Sequence, residues 1–507
     1  MSGVTPSPAR LSAHELIDLL TDEDSFVSWD STPVEVTTTE KYAAELAAAR
    51  ERSGVDESVL TGEGLIRGRR VAIIVSEFAF LAGSIGVAAA QRLVEAIEKA
   101  TLEGLPLLAG PASGGTRMQE GTLAFLSMVK ISAALSKHKA AKLPYLVYLR
   151  HPTTGGVMAS WASLGHVTVA EPGALVGFLG PRVFEAIYGE KFPEGVQVSE
   201  NLYSNGLIDG VIPPRKLPGI ISRILRVLDA PVAKTPPPQP EPWTGRETDT
   251  WESIVRSRDP ERPGIRALLR QGAHNVLPLN GTGQGEKDPG LVLALAQFGR
   301  VSCVVMGQDR QAQRVREPMG PAALREARRG MRLAEELGLP LVTVIDTPGA
   351  ALSQKAEEGG LAGEIARCLL ELVTLPSPSI SLILGEGTGG GALALLPADR
   401  TLAAENAWLS PLPPEGASAI VYRDTEHAAQ MAQEQGVSSF ALRESGIVDW
   451  VIPERPDAVQ EPEAFCARVA ESLEFHLWQL RGQSSEARLS VRFDRYRRLG
   501  LSSTRHG

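Results

Sequence analysis

The sequence predicts an α/β protein in which one fold occurs twice. Three observations carry that expectation. From residue 71 onward, strand-like apolar runs alternate with helical patterns. A Pro-rich stretch, AKTPPPQPEPWTG (233–245), interrupts the alternation and suits neither a helix nor an inner strand. The blocks on either side share a register, because GLPLLAGPASGGT (104–116) matches GLPLVTVIDTPGA (338–350) at an offset of 234 residues. With that offset held fixed, Gly115 falls on Gly349, Pro144 on Pro378, Thr154-Gly155-Gly156 on Thr388-Gly389-Gly390, and Glu171 on Glu405. The closing segments LIDGVIPP (207–214) and IVDWVIPE (447–454) agree at an offset of 240. An ungapped register through two loops indicates internal duplication.

The elements follow in order. Residues 11–30 suggest a short amphipathic helix and an acidic turn. The most apolar window, VAIIVSEFAFLAGSIGVAAA (71–90), contains Glu77 and reads as strand, turn and helix start rather than a membrane span. LPYLVYL (143–149) reads as a strand, TTGGV (153–157) as a turn, and ASWAS (159–163) as helical. The expected organisation is a first domain over 1–232, a Pro-rich linker over 233–262, a second domain over 263–480, and a basic helix over 481–507 facing solvent or a partner. The second α/β block is expected to begin near Gly299.

A length of 507 residues suits two or more domains, and the net charge of −9 argues against a nucleic-acid partner. Cys303, Cys368 and Cys466 lie far apart and form no CxxC, so neither a disulfide framework nor a zinc site is expected. MSGVTPSPARLSAHEL has no apolar signal-peptide core. A cytoplasmic protein with no membrane partner and no metal is the expectation.

The chemistry concentrates in small-residue turns after strands: ASGGT (112–116) and TTGGV (153–157) in the first copy, DTPGA (346–350) and TGGGA (388–392) in the second. Small residues let a ligand approach the backbone. One N–H from each turn can converge on one oxygen and stabilise negative charge developing there. No GxSxG, GxxxxGK[ST] or HExxH is present. His151 and His166 flank the first glycine pair, but the register offers no histidine opposite them, only Gly385 and Arg400. Such a site without a side-chain base suggests an enolate formed from a thioester, its proton removed by the co-substrate. GEGTGG (385–390) fits a dinucleotide fingerprint, but it lies deep in the second copy and its counterpart HPTTGG (151–156) lacks the first two glycines.

At these residues the sequence resembles the biotin-dependent acyl-CoA carboxylase carboxyltransferases of the crotonase-like superfamily. The first half resembles the β subunit of bacterial acetyl-CoA carboxylase in SEFAFLAGSIG (76–86), ASGGTRMQEG (112–121), HPTTGGVMAS (151–160) and AEPGALVGFLGPRV (170–183). The second resembles the α subunit in GPAALREARRGMRLAEELGLPLVTVIDTPGA (320–350), GEGTGGGALALLPADR (385–400) and SPLPPEGASAIVY (410–422). The resemblance implies tandem crotonase-like ββα-spiral domains and transfer of a carboxyl group from carboxybiotin to acyl-CoA. It implies that Gly114 or Gly115 with Gly155 and Gly156 serve the acyl-CoA side, and that Gly349 or Ala350 with Gly390 and Gly391 serve the biotin side. Arg117 and Lys130 would hold CoA phosphates, and Arg310, Arg314 and Arg316 would meet the carrier or biotin. Glu120, Glu171 and Glu405 would be structural. No biotinylation motif or ATP-grasp region is evident, so a biotin carboxyl carrier protein and a biotin carboxylase are implied as partners, and a homodimer or higher oligomer is expected. The four-cysteine ribbon of many β subunits has no counterpart here. Family members usually carry an aromatic residue and a further glycine after TPGA, where this chain has TPGAALSQKAEEGG (347–360), which leaves the acyl chain open. A lone hydratase, a decarboxylase and a scaffold subunit are the competing readings.

Overall fold

The computed structural model describes residues 10–228, 234–245 and 248–501. The chain divides into two compact units, one reaching Leu225 and including Gly283–Gly285, the other holding Arg226–Thr282 and the chain from Glu286 onward. The extreme N-terminal segment and the expected boundary at 232 lie outside the described residues.

The first unit contains a seven-stranded sheet in the order β1-β2-β3-β4-β5-β7-β9. Its strands are β1 (Val27–Ser28), β2 (Val59–Ile66), β3 (Arg69–Ser76), β4 (Leu107–Gly110), β5 (Tyr145–Leu149), β7 (Val167–Ala170) and β9 (Gly210–Val211), while β6 (Thr153–Thr154) pairs with β8 (Val176–Gly177). The second unit repeats the plan with β10 (His274–Leu279), β11 (Leu291–Phe298), β12 (Val301–Gln308), β13 (Leu341–Thr347), β14 (Ser379–Thr388), β15 (Arg400–Ala404) and β17 (Trp450–Ile452). There β16 (Trp408–Ser410) pairs with β14. Each unit opens its repeat with an antiparallel hairpin closed by two residues, Arg67-Gly68 and Gly299-Arg300, and Arg67, Gly68 and Gly299 take positive φ. Such turns match the right-handed twist of the strands.

Parallel strands follow, joined through helices Val87–Leu102 and Gly121–Ala140 in the first unit and Pro321–Leu337 and Leu361–Thr374 in the second. All residues of β5, β13 and β14 are buried, as expected for strands covered on both faces. In the first unit, Leu93, Ile97, Ile131 and Leu135 from two of these helices join Leu107, Tyr145 and Val147 in one core.

The strand registers confirm the duplication and refine it. Leu107 pairs with Tyr145 as Leu341 pairs with Ser379, 234 residues on. Leu146 pairs with Val167, whereas Ile380 pairs with Arg400, so the offset falls to 233 at the next strand. Glu171 therefore corresponds to Ala404 rather than Glu405, and His166 to Asp399 rather than Arg400. His166 Nδ1 and an Asp399 carboxylate oxygen do one job: each accepts the N–H of the residue opening the preceding strand, Tyr145 at 2.9 Å and Ser379 at 2.8 Å.

Two boundaries and the setting of the C-terminal helix differ from expectation. The linker is shorter than 233–262, because Asp249 caps a helix over Thr250–Ser257 whose Ile254 packs with Trp408 and Val437. The second repeat begins at β10 and β11 rather than near Gly299. The basic C-terminal helix, Ser485–Arg498, is no solvated appendage, since Arg488 and Arg492 are buried and Arg492 pairs with Asp399 at 2.6 Å.

Candidate active site

In the first copy, β4 runs into the turn 111–116. The Ser113 N–H donates to Pro152 O at 2.7 Å, and the Thr154 N–H donates to Ser113 O at 2.9 Å, which stitches the turn to β6. The Gly114 N–H is engaged by Ala82 O at 2.9 Å and the Gly115 N–H by Ser113 Oγ at 3.0 Å. The Gly155 N–H donates to Phe178 O at 2.8 Å. These three glycines shape the site and are not its free donors. Gly115 has a φ of +109°, and a Cβ there would lie 3.2 Å from Gly156 N, so only glycine fits.

The free donors are one residue further on. Ile85 donates to Gly115 O and accepts from the Arg117 N–H, both at 2.9 Å, so the intervening Thr116 N–H points to the opposite side of that bridge. The other free donor is the Gly156 N–H in the first turn of a short helix, Gly155–Met158. Among the described residues, no group accepts from either. The two positions adjoin, because a Cβ on Gly156 would lie 2.8 Å from Thr116 Oγ1.

The second copy repeats this geometry. The Gly349 N–H, at φ +133°, is engaged by Thr347 Oγ1 at 3.1 Å. Met319 bridges Ala350 and accepts from the Ala351 N–H at 2.9 Å, which turns the Ala350 N–H outward. Gly390 and Gly391 open the helix Gly389–Leu393, and a Cβ on Gly391 would lie 3.4 Å from Ala350 N. Thr116 and Ala350 are thus equivalent positions. Sequence reasoning named only Ala350, although the same register would have delivered Thr116. Beside Gly389 and Gly390 opens a cavity of about 560 Å³, walled by Leu393, Leu409, Leu442 and Ile447 with Ser410, Gln435 and Ser445 as polar members.

Two of the cations expected at the site, Arg117 and Arg310, are buried. Arg117 is 1 % exposed and pairs with Glu57 at 2.5 Å, also donating to Ser84 O at 2.7 Å, so it cannot reach a CoA phosphate. Burial works against its charge, and the Glu57 pair more than offsets that, raising its pKa. Arg310 is buried as well, pairing with Asp346 at 3.4 Å and donating to Asp259 O at 3.1 Å. Arg314 is engaged by Arg258 O at 3.0 Å. Arg316 is exposed on the wall of a separate cavity of about 450 Å³, and Lys130 is exposed and bonded to Gln91.

The remaining titratable groups have structural partners. Glu120 accepts from Tyr42 Oη, Glu171 from the His151 N–H at 3.0 Å, and Glu405 from the Glu454 N–H at 2.8 Å. His151 Nδ1 accepts from the Leu175 N–H at 3.0 Å, and burial lowers its pKa with Arg10 adding to the effect. Burial pushes Asp346 up to about 6, with Arg310 and Arg262 opposing. Among the described residues, no His/Cys/Asp/Glu cluster could hold a metal ion, and no helix is long and apolar enough to cross a membrane.

The site thus lies on a duplicated α/β scaffold, with an outward N–H beside a glycine-opened helix in each copy. The chain belongs to the carboxyl transferase domain family, whose model matches residues 7–488. It is 58% identical over 494 residues to the probable biotin-dependent acyl-coenzyme A carboxylase beta3 subunit of Mycobacterium tuberculosis (strain ATCC 25618 / H37Rv), covering 97% of this chain and 99% of that protein. It is 36% identical over 520 residues to the acetyl-coenzyme A carboxylase carboxyl transferase subunits beta/alpha of Salinispora arenicola, covering 97% and 91%. Among solved structures, the transcarboxylase 12S hexamer core shares the fold, with a TM-score of 0.71 at 22% identity over 92% of this chain and 89% of that one.

Proposed function

We propose that the chain is the carboxyltransferase component of a biotin-dependent acyl-CoA carboxylase, moving a carboxyl group from carboxybiotin on a separate carrier protein to the α-carbon of acetyl-CoA. The product is malonyl-CoA for fatty acid biosynthesis, and the setting is the cytoplasm. The observation that carries this reading is an outward N–H repeated in register, Thr116 beside Gly156 and Ala350 beside the Gly390-Gly391 helix start. Carboxyl transfer passes through two oxyanions, a thioester enolate and a ureido oxygen, and two equivalent donor pairs supply one site for each. The first pair serves the acyl-CoA and the second the biotin, whose bicyclic ring suits the mainly apolar cavity beside Gly389 and Gly390. The carboxyl carrier and a biotin carboxylase are the protein partners.

The chain's own contribution is binding, orientation and charge stabilisation, with the α-proton removed by the co-substrate. A stand-alone hydratase would need carboxylates facing the glycines. Glu120, Glu171 and Glu405 are instead tied to Tyr42, His151 and Glu454. Leu123, Phe125, Leu126 and Val129 on helix Gly121–Ala140 are 53–70% exposed, an apolar face suited to a second copy of the chain in a homodimer or larger assembly.

The test is malonyl-CoA loss with biocytin as a free acceptor, with and without avidin, and methylmalonyl-CoA run alongside. Avidin-sensitive formation of acetyl-CoA supports the reading, and preference for methylmalonyl-CoA would replace acetyl-CoA by propionyl-CoA. Biotin-independent hydration of an enoyl-CoA would overturn it.

A further inference from the structure

The two copies hold their donor pairs in place by different means. At the end of β12, Gln308 is fully buried and spans both turns of the second site. Its Oε1 accepts from the Asp346 N–H at 3.1 Å, and its Nε2 donates to Gly391 O at 2.7 Å. Asp346 continues the link, accepting from the Glu386 N–H at 3.2 Å. The hairpin registers place Ser76 at the equivalent position, since Val59 pairs with Ser76 as Leu291 pairs with Gln308. Ser76 cannot span a comparable gap, and its hydroxyl has no hydrogen-bond partner among the described residues. Asp346 likewise falls on Ala112 at the offset of 234. Yet the first copy forms the same strand pairing, the same bridge and the same left-handed glycine without this pair. The fold itself therefore does not require the glutamine.

We infer that Gln308 is a positioning residue for the second site alone. Its amide fixes the distance between the Ala350 N–H on one turn and the Gly390 and Gly391 N–H groups on the other. The acid–amide link keeps these donors at a set spacing while the cavity beside them accepts and releases a ligand. Assigning that ligand as biotin rests on the proposed function; the positioning role rests on the geometry.

Two readouts on the full-length chain separate these claims. The first is hydrogen–deuterium exchange of Gln308→Met, Gln308→Glu and Ser76→Ala. Gln308→Met is expected to raise exchange in segments 346–351 and 385–395 and leave 112–118 and 151–160 unchanged. Gln308→Glu keeps an acceptor toward Asp346 and, when protonated, a donor toward Gly391, so its rise should be smaller than that of Gln308→Met. Ser76→Ala should change none of these segments. Unchanged exchange in 385–395, or an equal rise in both copies, overturns the positioning role. The second readout is steady-state kinetics with malonyl-CoA and biocytin. Gln308→Met is expected to lower kcat/KM for biocytin on the order of 10²-fold, the scale of a 1 Å misplacement, with the KM for malonyl-CoA held within about twofold. Selective exchange with an equal loss toward both substrates would retain the positioning role and overturn the assignment of biotin to the second site.

Discussion

Replacing Gly156 by alanine tests the first donor pair directly. The added Cβ would sit 2.8 Å from Thr116 Oγ1 and 3.6 Å from Met128 Cγ. Gly156 is not among the positive-φ residues, so the backbone accepts alanine and the damage is confined to the contact. Relief requires Thr116 to withdraw by several tenths of an ångström, carrying its N–H away from that of Gly156. Loss of one such donor costs about 3–4 kcal/mol of barrier, or about 10²–10³ in kcat. The assay is avidin-sensitive malonyl-CoA decarboxylation with biocytin, paired with thermal unfolding to show that the fold survives. Gly390→Ala is the comparator. Its Cβ meets Ile365 Cδ1 at 2.8 Å, a terminal methyl that can swing aside, so its loss should be far smaller. Activity of Gly156→Ala within about threefold of wild type, with unchanged unfolding, would refute Thr116 and Gly156 as the donor pair.

Arg117→Met should destabilise the first unit by about 3–5 kcal/mol in urea unfolding, because it strands Glu57 without its buried partner. Wild-type stability with a raised KM for acyl-CoA would instead restore Arg117 as a substrate contact. Glu326 is 3% exposed, and burial raises its carboxyl to about 7 from 4.5, with Arg329 opposing. A raised carboxylate pKa stabilises the fold at low pH, and that contribution is lost as pH rises from about 4.5 through about 7. Glu326→Gln should therefore gain stability over wild type at pH 8, by up to about 3 kcal/mol, with the gap closing by pH 5. A gap independent of pH in chemical denaturation would refute the titration. Phe125→Glu on the exposed face of helix Gly121–Ala140 should shift sedimentation toward a smaller species; an unchanged distribution would remove that face from the assembly.

The duplication was legible because its landmarks are local. Buried parallel strands read as apolar runs, and the turns between strand and helix demand glycine, so the offset of 234 survives in the letters. The single-residue slip before β7 and β15 was not legible, since His166 and Asp399 perform the same N–H acceptance with unlike side chains. Thr116 was not legible because the role proposed for it lies in a backbone N–H, and residue type says nothing about which N–H is free. Arg117 and Arg310 misled for the opposite reason. A cation beside a glycine turn looks the same whether it faces a phosphate or a buried carboxylate, and Glu57 lies 60 residues before Arg117. The helix Thr250–Ser257 carried a readable signal, since Asp249 accepts from the Glu252 N–H as an N-cap, but the neighbouring prolines drew the linker too long.

What diverged between the copies is informative about what each copy must do. The free N–H positions did not move, as the proposed stabilisation of charge on one oxygen in each copy requires. Some supports were kept, since Ser113 Oγ and Thr347 Oγ1 accept the N–H of Gly115 and Gly349 alike, but others changed. The first turn is held from its far end by Arg117 against Glu57, Ser58 and Ser84, where the second copy has Ala351. The second turn is held from its near end by Asp346 and Gln308, where the first has Ala112 and Ser76. A support placed before the turn leaves the chain after it free of that anchor, and in the second copy this is the segment Ala350–Leu352, ending in a leucine that is 95% exposed. In the first copy the approach to the turn is held instead by Thr153, whose Oγ1 donates to Pro111 O at 2.9 Å. The two copies therefore share outward N–H positions but brace their turns differently, a difference in keeping with the proposed function, in which one copy takes the acyl-CoA thioester and the other takes biotin on its carrier.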